Sequence, residues 1–221
     1  MKRGIRFSIV FIMHMCAMGA FAQMKDVADW SAIKSELELV FKTDQAMRVE
    51  YNTMLAEARA KGVEVDTTLQ AAIWKRIGEQ DRANQQRVTV IVDKYGWPKK
   101  SQVGQVAAMA AFLVVQHASL DVQLKYVAHL REATASGEAS TQNLALLEDR
   151  LLIRQGQPQR YGTQVDTQNG LSLLPTEDET NLDARRAGMG LRPICEYLNG
   201  FVKTSGPIVY PPCMNQVPKR E

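Results

Sequence analysis

The 221 residues carry 27 lysines and arginines against 24 aspartates and glutamates. The first 22 residues read as an export leader that takes three of the cations and none of the acids, so the remaining chain is balanced in charge. A basic stripe of the kind that grips nucleic acid is thereby excluded, and the roughly 199 residues left suit one domain with a real core.

The leader has the expected parts. Lys2, Arg3 and Arg6 form a positive start, Phe7 to Gly19 is mostly apolar, and Ala20-Phe21-Ala22 gives a small-x-small cleavage site. The run is short for a span of about 20 residues, so no membrane attachment is expected after cleavage. The chain divides into a signal peptide at 1–22, a helical domain at 23–204 and a Pro-rich tail at 205–221, and its expected location is periplasmic or secreted.

Apolar spacing predicts a helix over residues 26–61, with Ile33, Leu37, Val40 and Phe41 on one face and Met47, Tyr51, Met54, Leu55 and Ala58 continuing it. Thr43-Asp44 offers an N-cap that would divide it in two. A second helix is predicted over 67–94 behind an Asp66 cap, with Leu69, Ala72, Ile73, Ile77, Val88, Ile91 and Val92 inward. Gly96-Trp97-Pro98 stops it. The segment 102–117 follows, capped by Ser101. Its nine consecutive apolar residues, Ala107 to Val115, require burial on most sides. It ends in Gln116-His117. An amphipathic piece with Leu120, Leu124, Val127 and Leu130 inward leads to Gly137, and another helix spans 141–155 with Leu144, Leu147, Leu151 and Leu152 inward.

After Gly156 the helical period disappears. Asn169-Gly170, between short runs at 161–168 and 171–174, predicts a β-hairpin. Short helices are expected at 181–189 and, from Pro193 at its first position, at 193–203. The fold class is therefore mainly α: a single-domain multi-helix bundle with one small β-hairpin near 161–174. Cys195 and Cys213 are the cysteines left after the leader. In an oxidising compartment they favour a disulfide worth about 3 kcal/mol for such a loop, with free thiols or a metal pair as the alternative.

His117 heads the candidates for chemistry. If the helix runs on, Asp121 lies at i+4 and orients the ring as a general base or as a metal ligand with a carboxylate behind it; the bland reading is a structural histidine bonded to a carbonyl or carboxylate. His129 does not share its face, and no HExxH or His-x-His pattern occurs, so no metal is expected. No Gly-rich nucleotide loop occurs either, and no cofactor is expected. Asp81-x-x-Asn84-x-x-Arg87 and the pair Asp44/Arg48 read first as solvated helix faces. Asp149-Arg150 sits in a leucine-rich helix, where one of the two must face inward. Arg160-Tyr161-Gly162-Thr163-Gln164 offers a cation, a phenol, a close-approach glycine, a hydroxyl and an amide, a set that suits either a polar-ligand loop or a self-satisfied turn.

These residues together resemble a widespread bacterial family catalogued as a domain of unknown function. The resemblance rests on Gly96-Trp97-Pro98, Ser101-x-Val103-Gly104, Gln116-His117-Ala118, Gln123, Asp149-Arg150 and Tyr161-Gly162-Thr163-Gln164. Asp44-Gln45, Asp81-x-x-Asn84-x-x-Arg87 and Asp183-x-x-Arg186 add to it, and it spans roughly residues 40 to 200. It implies that these polar residues belong together, as a site or as a buried network. The leading expectation is a small polar or anionic ligand bound by Asp81, Asn84, Arg87, Gln116, Asp149, Arg150, Tyr161 and Gln164 around His117. The alternatives are a metal-independent hydrolase or transferase with His117 as base, and a structural or interaction protein whose partner the sequence does not name.

Overall fold

A computed structural model describes residues 28–167 and 169–214. The leader expected at 1–22 and the last residues of the expected tail lie outside the described residues.

Two long helices form an antiparallel pair. α1 (Trp30–Lys61) begins where the Asp29 carboxylate accepts hydrogen bonds from Ser31 N and Ala32 N, both at 3.1 Å, and ends at Gly62. α2 (Thr67–Tyr95) is capped in the same way by Asp66. Such caps satisfy N–H groups that the helix itself leaves unpaired. Thr43-Asp44 does not divide α1. The Thr43 hydroxyl turns back onto Leu39 O and Val40 O, and Asp44 faces inward. Burial in α1 is concentrated toward the end near Ile33, whereas α2 has buried residues from Ile73 and Ile77 through to Val92. Leu69 and Ala72, expected inside, are exposed, because the first part of α2 packs only on the far half of α1. There Tyr51 and Trp74 stack edge to face, with Gln70 bonded to the Tyr51 hydroxyl.

The expected 102–117 helix is split at Gly104, whose φ of +81° favours glycine. α3 (Lys100–Val103) precedes the split and α4 (Gln105–His117) follows it. Ser101 therefore lies inside α3 and its N–H binds the Glu138 carboxylate. α4 is the centre of the main core, packed against α1 and α2, with Ala107, Ala110, Phe112 and Val115 buried. It stops at Ala118, which is extended. α5 (Leu120–Ala135) and α6 (Thr141–Arg154) then pack against each other and against α4.

The hairpin is real but minimal. β1 (Val165–Asp166) pairs antiparallel with β2 (Ser172–Leu173), Val165 opposite Leu173. Residues 161–164, expected in the first strand, are outside it because their backbone groups bond to side chains instead. A 3-10 turn leads into α7 (Leu182–Gly188), and α8 (Ile194–Asn199) and α9 (Val202–Ser205) replace the single helix expected over 193–203. Pro193 caps α8 rather than opening it. α10 (Pro211–Met214) closes the described chain, with Cys213 disulfide-bonded to Cys195 at a Cα separation of 5.3 Å. Leu171, Leu182, Leu198 and Tyr210 form a second, smaller core around that link. The expected fold class, a mainly helical single domain with one small hairpin, is what the structure shows.

Candidate functional site

The inward stripe of α1 runs Ile33, Leu37, Val40 and then Asp44, at steps of four, three and four. Helical periodicity thus carries a carboxylate into a position otherwise reserved for an apolar side chain. Asp44 is only 1% exposed, and it meets the last residue of α4. His117 Nδ1 lies 3.0 Å from Asp44 Oδ1. A carboxylate at this distance fixes the proton on Nδ1 and leaves Nε2 as the free ring nitrogen. The His117 side chain is 22% exposed.

The remaining oxygen positions of Asp44 are filled. Gln45 Nε2 donates to Oδ2 at 2.7 Å, and Arg48 Nη1 donates to Oδ1 at 3.2 Å. Arg48 Nη2 also donates to both oxygens of Asp81, at 2.9 and 2.8 Å, which joins α2 to the cluster. Burial pushes the Asp44 carboxyl upward. The His117 hydrogen bond, the charges of His117 and Arg48 and the Gln45 bond together outweigh it and hold the group below the ordinary carboxylate range. One ligand atom each from Asp44, Asp81 and His117 lies within 4.8 Å of the others, close enough for a divalent cation to bridge. Arg48 already hydrogen-bonds both carboxylates, so a cation would compete with it for their oxygens.

The other expected site residues fall into separate groups. Asp81, Asn84 and Arg87 line one face of α2 but face different parts of α1. Asn84 is fully buried and accepts from Thr43 Oγ1 and Gln80 Nε2, while Arg87 makes a half-exposed pair with Glu36 at 2.6 Å. Only Asp81 reaches the cluster. Asp121 does not orient His117. The helix breaks at Ala118, and Asp121 sits exposed in the first turn of α5, hydrogen-bonded to Ser119, which holds its carboxyl low. Gln116 is buried; its carbonyl accepts from Gln123 Nε2 at 2.8 Å and its amide nitrogen leans on Leu146 O at 3.5 Å.

Asp149 is fully buried and anchors the loop before the hairpin. It accepts from Arg160 N at 2.8 Å, Tyr161 N at 3.0 Å, and Thr163 N and Oγ1 at 2.9 Å each. Gln164 is locked to Gln159, its N–H on Gln159 Oε1 and its carbonyl receiving Gln159 Nε2. Arg186, 0% exposed, donates to Arg192 O, Tyr161 O and Gly162 O and stacks over Tyr197. Tyr161 to Gln164 is thus held as a folded turn by Asp149, Gln159 and Arg186. Among the described residues no hydrogen bond joins it to His117. Arg150, next to Asp149, has no such partners.

Sequence reasoning missed Asp44 as the partner of His117. Its signal was present: an acid in the register of Ile33, Leu37 and Val40. Gln159 was missed as well, and no spacing marks it. A cavity of about 170 Å³ opens beside Trp97, Met109, Phe112 and Leu130, and His117 is not among its lining residues.

No curated protein and no solved structure matches the chain. The model of a family of unknown function, DUF6624, matches residues 32–207, well over half of the sequence, and the chain belongs to that family.

Proposed function

We propose that the end of α4 is a small-molecule site in which His117, held by Asp44, exchanges a proton with a bound polar ligand. The single observation that carries this reading is the 3.0 Å contact between His117 Nδ1 and a buried carboxylate. It supports an oriented imidazole whose Nε2 is free to act as general base or hydrogen-bond acceptor. The Asp44–Arg48–Asp81 chain behind it resists rotation of Asp44, as preorganised acid–base sites require. The ligand-binding role lies at Asp44, Asp81 and His117, and Asp149, Tyr161 and Gln164 serve the fold.

We also infer export. The leader pattern and a disulfide both suit an oxidising compartment, and among the described residues no helix is long and apolar enough to cross a membrane. Sequencing of the exported chain should begin at Gln23.

The decisive test is the tautomer. In long-range proton–nitrogen NMR spectra at alkaline pH, His117 should carry its proton on Nδ1. A proton on Nε2 would refute the site. In parallel, His117→Gln should keep the melting temperature while losing turnover or binding of small polar probes such as chromogenic acyl and phosphoryl esters. Unfolding of that variant would assign His117 a structural role.

A further inference from the structure

The other arginines drawn into the fold hold several internal acceptors each. Arg48 binds two carboxylates, the fully buried Arg186 binds three carbonyls although its Nη2 meets no acceptor, and Arg185 binds the carbonyls of Arg160 and Asp178 and the Asp178 carboxylate. Arg150 differs. Its Nε is shielded from solvent with no acceptor, and among the described residues the side chain makes no hydrogen bond or ion pair. A guanidinium cannot shed its proton at ordinary pH, so burial without a counter-charge is costly.

Its neighbours help little. Burial and the charge of Arg154 push the Arg150 pKa down and outweigh the opposing pull of Tyr197, whose hydroxyl already donates to Thr163 O. The adjacent Asp149 gives its oxygens to the 160–163 loop. Two cations therefore stand side by side with no acid between them.

Their place follows from the α6 register. Leu146, Arg150 and Arg154 are four apart on one face. Leu146 O receives Gln116 Nε2, and Arg154 Nη1 donates to Ala118 O at 2.7 Å. Arg150 thus lies along the same turn, 116–118, that ends α4 with His117. That turn also holds unmet acceptors: Gln116 Oε1, and Gln123 Oε1 on the side chain bonded to Gln116 O, are buried without donors. An unmet donor and unmet acceptors along one stretch of chain call for a group that both accepts and donates, such as a hydroxyl-bearing anion, or an anion together with water.

We propose that Arg150 and Arg154 form an anion subsite at the end of α4 that takes the carboxylate or phosphate group of a small acid. The proposal rests on the His117 reading for its catalytic meaning, since the same acid would present its reacting group to His117. The guanidinium pair supplies planar donors matched to two oxygens of either anion.

The test is titration of the exported chain with inorganic phosphate or with acetate, against sodium chloride at equal ionic strength, by calorimetry and thermal melting. Wild-type protein should bind at least one of the two and melt higher in it, and Arg150→Gln should weaken that binding by about ten- to hundredfold. Arg150→Met should melt no lower than wild type in chloride, since it removes an unpaired cation. Neither anion surpassing chloride, equal affinity in Arg150→Gln, or a marked loss of stability in Arg150→Met would each overturn the proposal. His117→Gln separates the two readings. If it binds the anion normally while the His117 proton sits on Nε2, the subsite stands and the proton-exchange reading falls. If Arg150→Gln is without effect while the proton sits on Nδ1, the reverse holds.

Discussion

Replacing Asp149 with asparagine tests the division between scaffold and site. Asp149 receives four donors: Arg160 N, Tyr161 N, Thr163 N and Thr163 Oγ1. Asparagine keeps one oxygen and turns an NH2 toward donors that the other oxygen used to accept. At least two hydrogen bonds to a charged acceptor are lost, and buried N–H groups then face one another. At about 1.5–3 kcal/mol for each such bond, the cost is about 3–6 kcal/mol. That is a large share of a typical total of about 5–15 kcal/mol. For a domain of this size it lowers Tm by about 10 °C. Urea unfolding followed by circular dichroism measures the loss, and limited proteolysis should show early cleavage within 157–175. A cost below about 1 kcal/mol, against the typical worth of a buried charged hydrogen bond, would refute the assignment of Asp149 to the fold.

Asp44 gives a pH signature. Its folded carboxyl titrates below the unfolded value of about 3.9, so its contribution is complete above that pH and is lost as pH falls through the lower folded value. Asp44→Asn should therefore flatten the decline of stability below about pH 4, the ordinary carboxyl range, and unchanged acid unfolding would contradict the buried ion network. Reducing the Cys195–Cys213 link, 18 residues apart, should cost about 3 kcal/mol, visible as a lower Tm in reductant and no shift in Cys195→Ser/Cys213→Ser. Gly162 and Gly156 both have positive φ, +64° and +73°. A Cβ at Gly162 meets Leu182, Ile194 and Leu173 at 3.3–3.4 Å, while at Gly156 nothing lies within 4 Å. Gly162→Ala should be the more destabilising, with Gly156→Ala limited to about 1 kcal/mol of backbone strain; the opposite order would refute the packing argument.

Local periodicity made much of the fold legible. The apolar spacing of α1, α2, α4, α5 and α6 and the Asn169-Gly170 turn all depend on neighbours within a few residues. The expectations that failed depended on what lies across the fold. Leu69 and Ala72 have the right period but only one neighbouring helix to pack on, and Leu124, expected inward on α5, is exposed as well. Ala118 ends α4 without the glycine or proline that marks other breaks, and this moved Asp121 away from His117. The Asp44–His117 contact joins residues 73 apart, and periodicity could point to an acid in the core stripe but not to its partner. The Tyr161–Gln164 run looked like a ligand loop because its polar groups were read as unspent; Asp149, Gln159 and Arg186 take them up.

That last point separates the two polar assemblies of this chain. Where a buried carboxylate has all its acceptor positions met inside the protein, as at Asp149, it gains nothing from a ligand and stability is lost when it is cut. Where a guanidinium nitrogen and two amide oxygens remain buried and unmet, as at Arg150, Gln116 and Gln123, folding alone has not satisfied the groups. The two assemblies meet on α6, where Asp149 and Arg150 are consecutive and more than a quarter-turn apart at 100° per residue. The carboxylate secures the hairpin, and the cation beside it is left with no internal partner. A chain that fixes Asp149 so fully and leaves Arg150 unpaired holds the arginine ready for a charge that comes from outside.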